Sequence, residues 1–433
     1  MSATSEANRL YWLTVNGARS IWGDRLPDAI HARIEHELAT IVAARDAVTA
    51  YLVVHNMVKQ LRKSGIAVGL GRGRCVSSIV AYALGITGID PLRHGLLMES
   101  FVSANRLSPP VFYLNVGIGG RRKAIDYLQG QYGTDGVAMP ASLNEGRMAH
   151  ATDILVMDKE AKRCISCKWN DALKCAVAQQ GTKEAEARGA LVINIEESAA
   201  ITHVQDRLVA LGKATSDLGK IPLDDPAAIA LFANGETKGF PLFDSDNMKN
   251  WLSELKPRRF SDIVTAFAIY DITRESTMPP HFSVAAQNIR ATFIARRNDK
   301  SRITCRHPIM ENALAETNGL VVYQEQIMHL AHDLAGFTFH EAGRLPIALG
   351  KRILDAMTEM KKWFVVGCLT NKKFRVGKWA DAGTARAAAE SIWQELESAA
   401  PWAYSKAHAV SRALLAYLCA YLNLATDFLT QRR

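Results

Sequence analysis

The chain has 433 residues, 48% of them hydrophobic, more than one core usually organises, so two or three globular domains are expected. Lys plus Arg number 52 against 43 Asp plus Glu, a formal +9 that favours a polyanionic partner. No stretch reaches about 18 uninterrupted apolar residues and the first twenty lack a basic-then-apolar leader, which excludes a membrane partner and points to a cytoplasmic protein. Seven cysteines scattered along the chain do not make a secreted disulfide framework.

Residues 28–64 carry helical spacing, with Ile30, Ile34, Leu38 and Ile41 on one stripe and Glu35, Glu37 and Arg45 off it. The stretch AVGLGRGRCVSSIVAYALGITGIDPL (67–92) then sets Gly69, Gly71 and Gly73 before an apolar helical run from Val76 to Leu84. Glycine admits positive φ and close backbone approach, so this turn would present N–H groups at a helix N-terminus. Arg72 and Arg74 add fork-shaped donors suited to phosphate oxygens. G-x-G-x-G by itself does not separate a phosphate cradle from a tight structural turn.

Pro109 and Pro110 force an extended entry, and Val111 to Val116 reads as a buried strand that Gly117, Gly119 and Gly120 stop. A helix begins at Arg121. Between about 140 and 220 the signals are mixed, with one clear strand at ALVINI and an exposed connection at GTKEAEARG. Cys164, Cys167 and Cys175 have C-x2-C-x7-C spacing but no fourth ligand at zinc spacing, and read as three ordinary thiols. From about 221 the pattern is helical almost throughout. The single D-x-D, Asp244-Ser245-Asp246, precedes NMKNWLSEL and reads as helix capping.

Taken in order, the long amphipathic helix, the G-x-G-R-G turn, the strand after S-x-P, and a helix-rich half with Y-Q-E-Q (323–326) and K-x-H (406–408) resemble the palm and fingers of the bacterial DNA polymerase III alpha subunit. This is the C-family replicative polymerase. The stretches VGLGRGRCVSSIVAYALGITGIDPL, LKPRRFSDIVTAFAIY and NGLVVYQEQIMHLAHDLAGFTFHEAGRL carry the likeness, from about residue 10 to the end. The resemblance implies an α+β chain. Residues 1–220 would form a palm, a mixed or antiparallel nucleotidyltransferase-like sheet with helices, with a thumb segment shortened to about 140–190. Residues 221–433 would form helical fingers, and the family's phosphoesterase-like and sliding-clamp-binding regions are expected to be absent.

Nucleotide addition needs two divalent ions held by hard, negatively charged oxygen ligands. Carboxylates at i and i+2 of a strand share a face, and the family places aspartates at alternate positions of the palm strand. Here those positions are Val111, Tyr113 and Asn115, none acidic. A third family aspartate falls on Asn194 or, in another register, on Asp206. Asp153 and Asp158 are five apart and would face opposite ways on a strand. The nucleotide grip has drifted too: Arg74 stands for a serine, Asp271-Ile272-Thr273-Arg274 for R-P-G-P, and Pro346-Ile347 for paired arginines. Gly71, Arg72, Gly73, Arg74, Lys351, Arg352, Lys406 and His408 are the candidates for DNA or phosphate contact.

The resemblance with these losses implies a catalytically degenerate homologue without polymerase activity or cofactor, whose partners are DNA and replisome or polymerase subunits. Two rivals are a working DNA-directed polymerase with Mg²⁺ on relocated ligands, and a protein-interaction module that regulates a host polymerase.

Overall fold

The computed structural model describes residues 3–103, 109–141, 152–273 and 283–431. Residues 1–222 with 421–433 form one compact unit, and 223–420 form a second.

The first unit opens with three helices, α1 (Ala3–Trp22), α2 (Asp28–Ala43) and α3 (Ala47–Lys63). The run expected to be one helix after the glycine turn is a 3₁₀ segment, Gly73–Ser77, followed by a single turn, α4 (Ile79–Ala83). Next come β1 (Phe112–Val116), α5 (Gly120–Tyr132), β2 (Val137–Met139) and β3 (Asp153–Val156). Then follow α6 (Lys159–Cys164), β4 (Cys167–Asn170), β5 (Cys175–Ala178), α7 (Thr182–Ala187), β6 (Leu191–Glu197) and α8 (Ala199–Ala210).

The six strands form one mixed sheet in the order β1-β6-β3-β2-β5-β4. β1 runs parallel to β6 and β2 parallel to β5, while the other neighbours are antiparallel. Strand alternation sorts β1 into two faces. Phe112, Leu114 and Val116 are fully buried, and Phe112 packs edge-on against Tyr51 of α3 and against Phe101, with ring centroids 4.9 and 5.2 Å away. Val111, Tyr113 and Asn115 point to the other face. There Val111 packs with Leu155, Ala176, Val192, Ala161 of α6 and Ala185 of α7 in a small-residue core. The segment expected to be an exposed connection is therefore largely α7, with Ala185 fully buried. Cys167 and Cys175 open the paired strands β4 and β5, opposite Ala178 and Asn170 respectively.

In the second unit, the regular elements among the described residues are helical. They are α9 (Pro226–Ala233), α10 (Asp246–Leu255), α11 (Phe260–Ile272) and α12 (Ser283–Asn298). These are followed by α13 (Met310–Leu314), α14 (Gln324–Ala335), α15 (Phe339–Ala342) and α16 (Leu345–Gly350). Last are α17 (Leu354–Thr370), α18 (Ala382–Ala399) and α19 (Lys406–Gln431). The D-x-D stretch starts α10: the Ser245 hydroxyl accepts from the Met248 N–H at 3.4 Å, and Asp244 pairs with Lys249 at 2.6 Å.

A boundary at 221–433 does not hold to the end of the chain, because residues 421–433 belong to the first unit. The reason is local bonding: His203 and Arg207 of α8 meet Asn423 and Thr426, each at 2.8 Å.

Candidate functional site

The outward face of β1 and β6 gathers the residues that the sequence singles out. In the parallel register Tyr113 lies opposite Asn194 and Asn115 opposite Glu196, while Asp153 of β3 is the antiparallel partner of Asn194. Asn194 is on the strand beside β1, whereas Asp206 is in α8, away from the sheet ladder. Asp153 shares the face, and Asp158 is the N-cap of α6.

Arg72 fills the space among these side chains. Its guanidinium donates to the Asn194 Oδ1, its Nε lies 2.9 Å from the Glu196 carboxylate, and its Cζ sits 5.2 Å above the Tyr113 ring centroid. The Arg72 side chain is only 12% exposed, and Glu196 is 36% exposed. The Asn194 amide in turn donates to Asp153 and to the Thr152 hydroxyl, and Thr182 of α7 donates to the other Asp153 oxygen at 2.8 Å. Both carboxylates of the face are thus engaged by protein donors. The buried Asn115 side-chain oxygen has no hydrogen-bond partner among the described residues.

These donors do not fit a pair of divalent ions. Two asparagine carbonyls and a phenol bring no negative charge, the Glu196 charge is matched by Arg72, and the one remaining carboxylate, Asp153, is taken up by Asn194 and Thr182. Among the described residues no three His, Cys, Asp or Glu side chains converge as metal ligands.

Two N–H groups of the glycine turn are bonded to β1. Residues 67–69 run alongside β1, with Gly69 N–H donating to Asn115 O at 2.8 Å and Arg72 N–H to Tyr113 O at 3.0 Å. Gly69 suits this packing, since a Cβ there would lie 3.2 Å from Asn115 O and would push Ile201 Cδ1, 2.7 Å away, aside. Gly71, at φ +80°, would bring a Cβ to 2.9 Å from Thr87. The start of α4 already holds an anion from the protein itself. The Glu37 carboxylate accepts from Ile79 N–H at 3.0 Å, from Val80 N–H at 3.4 Å and from the Ser78 hydroxyl, which also meets Tyr51 Oη at 2.8 Å. Glu37 is completely buried, with Arg33 Nε 3.6 Å away. Burial pushes its carboxyl above the usual range, against the pull of Arg33 and the three donors. The helical stripe had set Glu37 apart from the core. That reading fails because Ser78 and the start of α4 cover that side of α2. Burial likewise pushes the adjacent Cys75 thiol up to about 11.

The candidates of the second unit separate into two groups. Lys351 follows α16 and is exposed, as is Arg352, which has φ +52°. Lys406 instead reaches Glu316 at 2.7 Å and lies over the Tyr323 ring, and His408 packs edge-on against Tyr404. The Y-Q-E-Q stretch explains why. Glu325 accepts from the Lys406 N–H at 2.8 Å and so caps α19, while Gln326 accepts from the Val322 and Tyr323 N–H groups and donates to Thr317. Both motifs therefore serve one packed junction, and Lys406 is not a free cation. Pro346 is buried in α16 and Ile347 is exposed, while of the segment 271–274 only Arg274 lies outside the described residues.

Sequence reasoning missed Asp153 and Glu196 as members of the face, and Glu37 as a buried anion. The i, i+2 spacing of Glu196 from Asn194 was the available signal for the second of these.

Residues 8–216 match the family described as the bacterial DNA polymerase III alpha NTPase domain, and residues 198–372 match the bacterial DNA polymerase III alpha subunit finger domain. Similar relatives include the DNA polymerase III subunit alpha of Aquifex aeolicus, 27% identical, of Streptococcus pyogenes, 26%, and of Halalkalibacterium halodurans, 28%. The matches cover 90%, 90% and 95% of this chain. They cover 40%, 42% and 41% of those relatives, so the chain spans about two fifths of their length.

Proposed function

Because the chain belongs to the bacterial DNA polymerase III alpha family, we propose that it is a catalytically degenerate member, one that binds DNA or a replisome partner and does not polymerise. A single observation carries this reading. On the face where the resemblance puts the metal-binding aspartates stand Tyr113, Asn115 and Asn194, and the Arg72 guanidinium lies among them, bonded to Asn194 and Glu196. A fixed cation there opposes Mg²⁺ by charge and by volume.

The rival with relocated ligands has two carboxylates on the correct face, Asp153 and Glu196. Each is already satisfied inside the protein, the first by Asn194 and Thr182 and the second by Arg72. The polyanion contact is assigned to the exposed Lys351 and Arg352, supported by the +9 charge of the chain.

Primer extension with Mg²⁺ and deoxynucleotides should give no product above background, since transition-state charge is stabilised by preorganised groups and the loss of even one oxyanion-hole donor costs about 2.7–4 kcal/mol in an acyl-transfer enzyme. The double variant Tyr113→Asp, Asn115→Asp should remain inactive, because Arg72 keeps its place and Pro346 and Ile347 cannot grip a triphosphate. Robust extension by the purified wild-type protein would overturn the reading, and recovery in the double variant would show that the nucleotide grip survives.

A further inference from the structure

The second unit holds a cavity of about 630 Å³ where the start of α11, the end of α12 and the segment before α14 meet. It lies at the opposite end of α11 from residues 271–274, so about 18 Å of helix rise separates it from the segment in which the resemblance puts nucleotide contacts.

One wall is cationic and pre-set. The Asp262 carboxylate accepts from the Arg258 N–H at 2.9 Å and pairs with Arg259 at 3.2 Å and Arg297 at 3.0 Å. Arg297 is largely buried and also donates to Lys256 O at 2.9 Å, so its fork is held in one orientation. One carboxylate therefore orders two guanidiniums and neutralises only one. The Arg258 and Lys300 side chains are exposed at the same cavity and have no side-chain partner among the described residues. The opposite wall contributes Glu311 and Glu316, but Glu316 is already paired with Lys406. Four lining cations thus meet three carboxylates, one of them neutralised from behind, which leaves two positive charges in excess. The floor is apolar, built from the buried Phe293 and Leu314 with Ile303.

We propose that this cavity binds a phosphomonoester with a flat apolar body, the phosphate against Arg258, Arg259 and Lys300 and the body on Phe293 and Leu314. A phosphomonoester carries about −1.5 to −2 charge at pH 7, which matches the excess, and the volume falls within the roughly 300–1,000 Å³ of ligand pockets. Such a group can come from a free nucleoside monophosphate or from the 5′-phosphate of a DNA strand. The site lies within the second unit and does not depend on the reading of the β1–β6 face.

The test is isothermal titration in EDTA with deoxyadenosine monophosphate, deoxyadenosine and inorganic phosphate as probes. The monophosphate should bind at least about tenfold more tightly than either fragment, and Arg258→Glu with Lys300→Glu should weaken it by at least about tenfold with an unchanged melting temperature. These two side chains are exposed, so the variant keeps the fold. A thymidine decamer with and without its 5′-phosphate assigns the source: a gain from the phosphate marks a strand end, and no gain with retained monophosphate binding marks a free nucleotide. Equal binding of nucleoside and nucleotide, or undiminished binding by the double variant, would overturn the site.

Discussion

Two of the arginine–carboxylate groups in the first unit have opposite uses. Glu37 is fully buried against Arg33 and takes three further donors from Ser78, Ile79 and Val80, tying α2 to the start of α4. Glu196 is one-third exposed and meets Arg72 on the open face of the sheet. The glycine turn lies between them and is fastened on both sides, by its N–H groups to β1 and through α4 to Glu37. What the contrast teaches is that a charged group at a glycine turn is identified by its burial and its partners. The inner carboxylate is part of the fold, and the outer pair lies on the sheet face shared by Tyr113, Asn115 and Asn194.

The comparison can be broken by stability measurements. Glu37→Ala leaves Arg33 and the α4 N–H groups without their buried acceptor, and should cost about 3–5 kcal/mol in denaturant unfolding. Arg72→Ala removes a pair whose carboxylate is one-third exposed but also leaves the Asn194 oxygen without its donor, and should cost less, about 1–3 kcal/mol. Similar losses from both variants would mean that the outer pair is also structural.

A smaller effect comes from pH. The folded Glu37 carboxyl is held above its ordinary value of 4.5 by burial, so between that value and the raised one the native state keeps a proton that the unfolded chain releases. The native state then binds more protons, and its stability falls as pH rises through that window, by up to about 1.4 kcal/mol per pH unit. This contribution is complete below the unfolded value and lost above the folded one. Glu37→Gln should flatten this limb when compared with wild type under identical conditions, which cancels the other carboxylates. Identical slopes in the two proteins would remove Glu37 as the cause.

Much of the fold was legible because its signals are long. β1 is a strand after two prolines with an apolar inward face, and α10, α11, α14, α18 and α19 have apolar faces or are apolar throughout. β2 to β5 are only three or four residues each, and several of their inward positions are alanine or cysteine, too small to make a hydrophobic pattern. α7 reads as a loop because TKEAEA has a single buried side chain, Ala185. Tyr113, Asn115 and Asn194 were legible as non-acidic residues at the positions the resemblance singles out. The Arg72 contact with Asn194 and Glu196 was not, because it joins residues more than 120 positions apart. Glu37 shows the same limit: helical spacing gives its direction on α2, but not that another segment covers that direction.

The smallest expected effect concerns DNA, and it sharpens the contrast between buried and exposed cations. Binding to duplex DNA should weaken linearly in log K against log salt, with about −0.9 in slope for each phosphate neutralised. If Lys351 and Arg352 make that contact, Lys351→Ala with Arg352→Asn should make the slope shallower by about one to two units; asparagine is chosen because residue 352 sits at φ +52°, which it tolerates. Arg72→Ala should leave the slope unchanged, since its guanidinium is already shared by Glu196, Asn194 and the Tyr113 ring and would have to give them up to reach a phosphate. A slope that falls for Arg72→Ala and not for the double variant would reverse the assignment. It would move the nucleic-acid contact from the second unit back to the glycine turn, and would mean that DNA draws Arg72 out of the face it fills.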